Sequence, residues 1–436
     1  MNNLRGLFQS ALRELPEPAA ARWASACLSL SALTMLISLA ASQALLAASG
    51  ICYTVHLLRD QPRISFPPIK LPLAIFCLGT ILSILGAASP QAGLFAVRKM
   101  VLFLILLLAT NLIASRKLLE FLFRGLFVQS LLAALVGAFQ FVRQYEVART
   151  LHPDRLYVAM TVERITGFMG HWMNFSGQQM LVFASLLAFL LLNAAAPGPG
   201  GVQEEKGSQS QSRILGWLVL GVVTLSIVLG FTRGVWLGCG AATLYLVARW
   251  KPRLLWAVPV VLVVGYLFAP SMVRQRVAVL AHPRNDPSLS IRFEMWGVAT
   301  AMIRQHPWLG VGPNNIEQQY VLYLPPGKAP EPGYHAHLHS NFFQLGAERG
   351  LPVLAAWAWM MAALAWSIAR RRRRLTQLRW VADAALAAWL AFVVEGFFEF
   401  NFGTSPVLMI FLFLMAVPFA AERIEASGVA ESPFSG

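Results

Sequence analysis

The feature that most constrains this chain is a series of long apolar runs that recurs from residue 23 to residue 420. Read with a window of ~19 residues, they fall at 23–58, 73–88, 101–114, 119–141, 173–195, 214–230, 235–248, 254–269, 351–369, 381–398 and 407–420. A helix needs ~20 apolar residues to cross a bilayer core, so the first run is too long for one span. It reads as two helices joined by a tight turn near Ser42, which brings the count to about twelve. Twelve spans would occupy ~240 positions, or ~55% of the chain, and 57% of its residues are hydrophobic. Only 13% are charged, about half the share of an ordinary soluble domain. The expected fold class is an all-α polytopic membrane protein with about 12 transmembrane helices. A water-soluble enzyme with a polar skin is excluded.

Charge then orients the spans. Lys and Arg number 35 against 20 Asp and Glu, a net +15. In a soluble protein this would suggest nucleic acid as a partner, but here most basic residues sit in short loops, where they set topology. With the N-terminus cytoplasmic, Arg59, Arg63, Lys70, Arg116, Lys117, Lys206, Arg213, Arg249, Lys251, Arg253, the block from Arg370 to Arg374 and Arg379 all fall on the inner face. The resulting organisation is a cytoplasmic N-terminus over 1–22, nine spans over 23–269 with an outer loop at 143–172, a large outer loop at 270–350, three spans over 351–421 and a cytoplasmic tail at 422–436. Leu4, Leu7, Phe8, Leu12 and Leu15 would line one face of a surface helix. That segment is too long and polar, with Pro16 and Pro18, for a cleavable signal. Residues 198–212, rich in Gly, Ser and Gln, read as a flexible linker. Cys27, Cys52, Cys77 and Cys239 all lie in apolar runs and read as small core residues, neither disulfides nor a zinc site.

Two connections exceed ~15 residues, a length that is usually functional or disordered, and their Trp, Tyr, Phe and Pro content argues for order. Within the larger, residues 291–305 carry apolar positions at helical spacing, which predicts an amphipathic helix packed on the bundle. The outer face also holds the basic residues that break the topology pattern: Arg98 and Lys99 at the end of the short loop 89–99, Arg164, Arg233 and Arg292. Any of them can simply snorkel. Arg233 is harder to dismiss, since apolar spans flank it on both sides in LGFTRGVW and a guanidinium there is costly unless it faces a polar cavity or an anion. Arginines converging on one aqueous cavity would clamp a phosphate or pyrophosphate through paired hydrogen bonds.

Of eight histidines, His56 alone lies toward the inner half; His152, His171, His282, His306, His335, His337 and His339 are outer. Three alternate in YHAHLHSN, just before a run that becomes helical. In extended chain they would point one way, which suits a metal, but no carboxylate or cysteine flanks them at ligand spacing, and the expectation is no metal. A histidine general base fits better at neutral pH. Glu395 and Glu399, one helical turn apart, read as salt-bridge partners for the arginines. There is no P-loop, no dinucleotide fingerprint and no Asp-x-Asp pair, so neither a nucleotide nor any other cofactor is expected.

The stretch HLHSNFFQLGAERGL at 337–351 resembles the motif of the O-antigen ligase and polymerase superfamily: a histidine, an apolar pair, Gln344, then Glu348 and Gly350 entering a span. Arg164-Ile-Thr-Gly-Phe-Met-Gly170, Thr232-Arg233-Gly234, and Arg292 with Trp308-Leu-Gly-Val-Gly312 are similar to its other segments in order and spacing. The likeness runs from about Arg98 to Gly350. Ser340 and His171-Trp172 depart from the family pattern, which leaves the subfamily and acceptor open. The resemblance implies a glycosyltransferase of GT-C-like helical fold in the bacterial inner membrane, its site facing the periplasm. The donor would be a glycan on undecaprenyl pyrophosphate and the acceptor a hydroxyl of lipid A-core. His339, or else His337, would be the base, and Arg98, Arg164, Arg233 and Arg292 would bind the pyrophosphate. Gln344, Glu348, Glu395 and Glu399 would support them, in an inverting, metal-independent transfer. A polymerase of repeat units or a protein O-oligosaccharyltransferase would share this chemistry. A lipid-glycan or anion transporter would also line a cavity with arginines, yet neither interrupted half-helices nor an internal repeat of that kind is evident.

Overall fold

The computed structural model describes residues 15–151, 153–193, 205–278, 287–329 and 336–430, which are helical and contain no β-strand. Leu4, Leu7, Phe8 and Leu12 of the expected N-terminal amphipathic face, His152, His282 and His335 lie outside them. Each of the apolar runs falls on a helix. Among the described residues, six helices are long and apolar enough by themselves to cross a bilayer, and Lys70–Leu85, Arg213–Leu229 and Pro252–Phe268 are shorter apolar ones. The protein is a multi-pass membrane protein.

The first helices are α1 (Ala19–Ala32) and α2 (Leu39–Asp60). The turn between them lies at 33–38, earlier than the expected turn at Ser42, because Ser38 caps α2 by accepting from the Ala41 amide. Ser42 instead sits inside α2 and ties the pair together, its hydroxyl donating to the Ser31 carbonyl at 2.8 Å. In an apolar bundle such small hydroxyl residues let backbones approach and supply the polar glue. After α3 (Lys70–Leu85) come α4 (Pro90–Met100) and α5 (Leu104–Leu112), joined by a 3-10 turn. The loop expected at 89–99 is therefore helix, started by Pro90 in its first turn, where a missing N–H costs nothing.

The helix α6 (Arg116–Leu151) runs about 54 Å at 1.5 Å per residue. It extends well past a ~30 Å hydrocarbon core and takes up the first part of the connection expected at 143–172; a short α7 (Leu156–Val162) follows. The centre of the molecule is α8 (Trp172–Leu192), which is apolar on all sides and buried along nearly its whole length. Around it lie α9 (Glu205–Leu229), α10 (Arg233–Trp250) and, later in the chain, α16 (Arg379–Glu395) and α17 (Ser405–Ala430). The linker expected at 198–212 is helical from Glu205, since its Glu, Lys and Gln are good helix formers. By contrast α11 (Val258–Phe268) buries no residue at all and lies at the rim, an apolar helix for the lipid.

The connection before the last three long helices contains α12 (Ser271–Ala278), α13 (Pro287–Gln305) and a single-turn α14 (Ile316–Gln319). The amphipathic helix expected at 291–305 is α13, and its Met295, Val298, Ala299 and Met302 form a separate core with Val311, Tyr320, Leu338 and Ala347. The long α15 (Asn341–Arg374) is broken at Gly350, where φ is +79° and Pro352 follows. Its first nine residues belong to the functional end and the remainder to the bundle. At the opposite end, arginines of α15 are paired with carboxylates of α16 and α17: Arg371 and Arg374 with Glu422, Arg372 with Asp383.

Candidate active site

The site is built where the connection carrying α13, the start of α15 and the turn between α16 and α17 meet. His339 stands two residues ahead of α15 with φ +45°, a left-handed conformation that a non-glycine residue adopts rarely. This twist ends the extended alternation and sends the two neighbouring histidines to different places. His339 Nδ1 lies 2.8 Å from Glu399 Oε2. The His337 ring keeps an exposed edge and lies 6.2 Å from the Phe400 ring.

Glu399 is the hinge of the site. Only 2% of it is exposed, and its second oxygen accepts from Arg292 Nη2 at 2.7 Å. Arg292 Nε also donates to the Phe398 carbonyl at 3.4 Å. Burial alone would raise the Glu399 pKa, but His339 and Arg292 together outweigh it and hold the carboxyl below its ordinary value. An ionised carboxylate only accepts, so the proton of this hydrogen bond belongs on His339 Nδ1 and the Nε2 lone pair is left for a substrate. Burial, His339 and Lys99 hold His337 below the usual histidine value against the pull of Glu348 and Glu399.

Three buried amides and carboxyls fix the turn that presents Glu399. The Asn341 amide N–H donates to the Gly396 carbonyl at 2.8 Å, the Asn341 side chain donates to Asn401 Oδ1 at 2.6 Å, and Asn401 in turn donates to Glu395. Glu395 is thus a partner of Asn401 within its own turn, which corrects its expected place as an arginine partner. The reason is reach: Glu395 ends α16 facing the bundle, whereas Glu399 has left the helix.

Gln344 and Glu348, one turn apart on α15, hold the two loops that frame the histidine. Gln344 Oε1 accepts from the Leu338 amide at 2.7 Å, and its Nε2 donates to Glu348 Oε1 at 2.9 Å. That same oxygen accepts from the Asn314 amide at 2.8 Å, while Oε2 pairs with Arg349 at 2.9 Å. The backbone continues the junction: Val311 and Gly312 amides donate to the Ala347 and Glu348 carbonyls at 2.8 and 2.9 Å. Such an approach of two backbones leaves no room for a side chain. A Cβ on Gly310 would lie 2.3 Å from the Glu348 carbonyl carbon, and one on Gly350 2.3 Å from the Trp308 oxygen. Stacking of Trp296 on Phe343, centroids 5.4 Å apart, ties α13 and hence Arg292 to the same scaffold.

The remaining cationic residues are distributed unevenly. Arg98 is exposed and lies against Phe95 on its own helix, 6.0 Å from the ring centroid, so it is turned away from the junction. Its neighbour Lys99, 100° further round the helix, points inward and donates to the Gly403 carbonyl at 2.5 Å. The sequence marks both residues as outer cations but places only Arg98 in the site, because a loop reading of 89–99 gives no facing; on a helix the two cannot share a face. Arg164 stacks on Trp172, 3.9 Å from the ring centroid, and donates to the Thr161 carbonyl at 2.7 Å. Beside it His171 caps α8, its Nδ1 accepting from the Met173 amide. Burial lowers the His171 pKa, with Arg164 and His339 adding to the shift and Glu399 opposing it. Arg233 opens α10, and a Cβ on Gly234 next to it would lie 3.5 Å from Glu395 Cγ and 3.6 Å from Phe398 Cβ, so α10 begins against the Glu399 turn. Arg276, which the sequence reading did not single out, is buried with its Nε donating to the Phe231 carbonyl at 3.3 Å. Among the described residues, no group of three or more His, Cys, Asp or Glu is placed to hold a metal ion.

Residues 216–358, about a third of the chain, match the family model described as O-antigen ligase. No curated protein matches the chain. The matched segment contains Arg233, Arg292, both histidines, Gln344 and Glu348, whereas Glu399, Lys99 and Arg164 lie outside it and are joined to it only by the fold.

Proposed function

We propose that this chain, a member of the O-antigen ligase and polymerase superfamily, is a glycosyltransferase that moves a glycan from undecaprenyl pyrophosphate to a sugar hydroxyl of lipid A-core on the periplasmic face of the inner membrane. The observation that carries the reading is the buried Glu399 carboxylate shared between His339 and Arg292. It gives His339 a fixed ring orientation and a fixed tautomer, which are the requirements of a general base. In the proposed step, Nε2 takes the acceptor hydroxyl proton as that oxygen attacks the anomeric carbon from the face opposite the leaving group. The bond from the anomeric carbon to the pyrophosphate oxygen breaks, its electron pair leaves on the pyrophosphate, and the configuration inverts.

Charge developing on that leaving oxygen needs preorganised cations in a water-poor site, worth several kcal/mol. Arg164, Arg233 and Lys99 are assigned this work. Arg292 receives a different assignment from the one its motif suggests: with its guanidinium committed to Glu399, it positions the carboxylate that positions the base. Gln344, Glu348 and Glu395 are positioning residues that hold the loops. A GT-C-like bundle with twelve crossings belongs to the same proposal, supported by the apolar runs that fall on helices and by the basic residues gathered at the opposite end of α15.

The test is incubation of the purified protein with undecaprenyl-pyrophosphate glycan and lipid A-core in EDTA. Ligated product from the wild type, none from His339→Ala, and product from His337→Ala is the expected pattern. Elongated donor without ligated core would make the chain a polymerase, and activity in His339→Ala would remove the base.

A further inference from the structure

A groove of about 910 Å³ lies at the other end of the bundle from His339, between α10, α15 and α16. It exists because α15 presents alanines there, at 362, 365 and 369, opposite Trp389 and Leu390 of α16. Trp389 is fixed across the gap by its indole N–H, which donates to the Met361 carbonyl at 3.0 Å. Trp366 on the rim is 63% exposed. The walls are thus apolar and open outward, as a groove facing lipid tails is.

The mouth is different. Arg249 and Arg373 line it, both exposed and neither with a carboxylate partner among the described residues. The third arginine of the mouth, Arg372, is neutralised by Asp383 at 2.5 Å, and Tyr245 donates to the same carboxylate at 2.9 Å. From Ala362 to Arg373 the helix rises about 16 Å, half of a ~30 Å hydrocarbon core. The groove therefore has the length of one leaflet, with two uncompensated cations at its headgroup level.

We propose that this groove binds an anionic two-chain phospholipid, one acyl chain lying on the alanines between Trp366 and Trp389 and the phosphate between Arg249 and Arg373. A basic pocket between helices at the membrane surface is the chemistry that selects acidic over zwitterionic headgroups. The site is separate from the glycan-transfer end, and its occupant differs from a polyprenyl carrier in having two chains and a single phosphate near the basic face.

Native mass spectrometry of the full chain released from detergent, after addition of phosphatidylglycerol or phosphatidylcholine with the same acyl chains, tests it. One phosphatidylglycerol per chain is expected to be retained in preference to phosphatidylcholine. The Arg249→Ala/Arg373→Ala double variant should bind it about thirtyfold more weakly, the loss expected for two surface cations. Ala365→Trp, which fills the groove, should abolish retention; if that variant does not fold, the arginine variant decides alone. Equal retention of the two lipids, retention unchanged in the arginine variant, or preferential retention of undecaprenyl phosphate would each overturn the proposal.

Discussion

His339 and Glu399 are 60 residues apart in the chain and joined by a 2.8 Å hydrogen bond, the acid being almost fully buried and shared with Arg292. A carboxylate in this position does two things at once, orienting the imidazole and offsetting the positive charge that the ring gains on taking a proton. Glu399→Gln keeps the shape, removes the charge, and leaves one acceptor oxygen where His339 and Arg292 now have two. Its kcat should fall about 10²- to 10⁴-fold, the range a positioned acid–base system contributes, with little change in KM because no substrate contact is lost. Steady-state glycan transfer checks it; a variant with wild-type kcat would detach Glu399 from the reaction. Glu399→Ala takes away the carboxylate that the half-buried Arg292 shares with His339 and should also lose about 2–3 kcal/mol of stability.

The same pair sets a pH dependence of folding. Glu399 is held below the ordinary carboxylate range by His339 and Arg292 against its burial. As pH falls, the unfolded chain takes up this proton before the folded one, so the stabilisation is complete above about pH 5 and disappears as pH drops through the lower, folded value. Thermal midpoints of the detergent-solubilised protein, followed from neutral pH downward, should therefore decline below about pH 5 more steeply for the wild type than for Glu399→Gln. Parallel curves would contradict the shift.

Two adjacent cations should behave very differently. Lys99 bonds the Gly403 carbonyl and lines a small cleft with Asn314 and Glu348, whereas Arg98 lies outward on Phe95. Replacing Lys99 by Ala should lower kcat/KM about ten- to a hundredfold, the worth of one charged hydrogen bond, and Arg98→Ala should stay near wild type. Transfer assays on the two purified variants decide it, and a reversal of the order would return Arg98 to the site.

How far the site was legible follows from which signals are local. The apolar runs, the helix at α13 and the motif spacing of His339, Gln344 and Glu348 are all carried by neighbours in sequence, and each corresponds to an element or contact in the structure. The partner of His339 is not. Glu399 was legible as a buried acid in need of a cation, since intramembrane carboxylates usually have partners, but nothing in the spacing says that a histidine shares it. Glu395 carried the same signal and found an amide in Asn401 instead. Arg98 and Lys99 show the other limit: facing on a helix is decided by where the helix starts, and Pro90 started it ten residues earlier than a loop reading allowed.

The sharpest stability prediction concerns the crossing of the 306–315 loop over α15. Gly350 has φ +79° and its missing side chain leaves room for the Trp308 carbonyl, while the Leu351 amide donates to the Pro307 carbonyl at 2.8 Å. An alanine there meets backbone, which cannot move aside as a flexible side chain would, and must also hold a left-handed conformation. The two costs together should destabilise Gly350→Ala by about 3 kcal/mol or more. Gly240, where a Cβ meets nothing within 4 Å, is the control and should tolerate alanine within about 1 kcal/mol. Because Gly350 closes the loop that Glu348 holds beside the histidines, the surviving folded Gly350→Ala protein should also transfer glycan more slowly, whereas Gly240→Ala should not. Thermal unfolding and transfer rates measured on both variants check the pair, and equal stability of the two would mean that the loop does not cross α15 at Gly350.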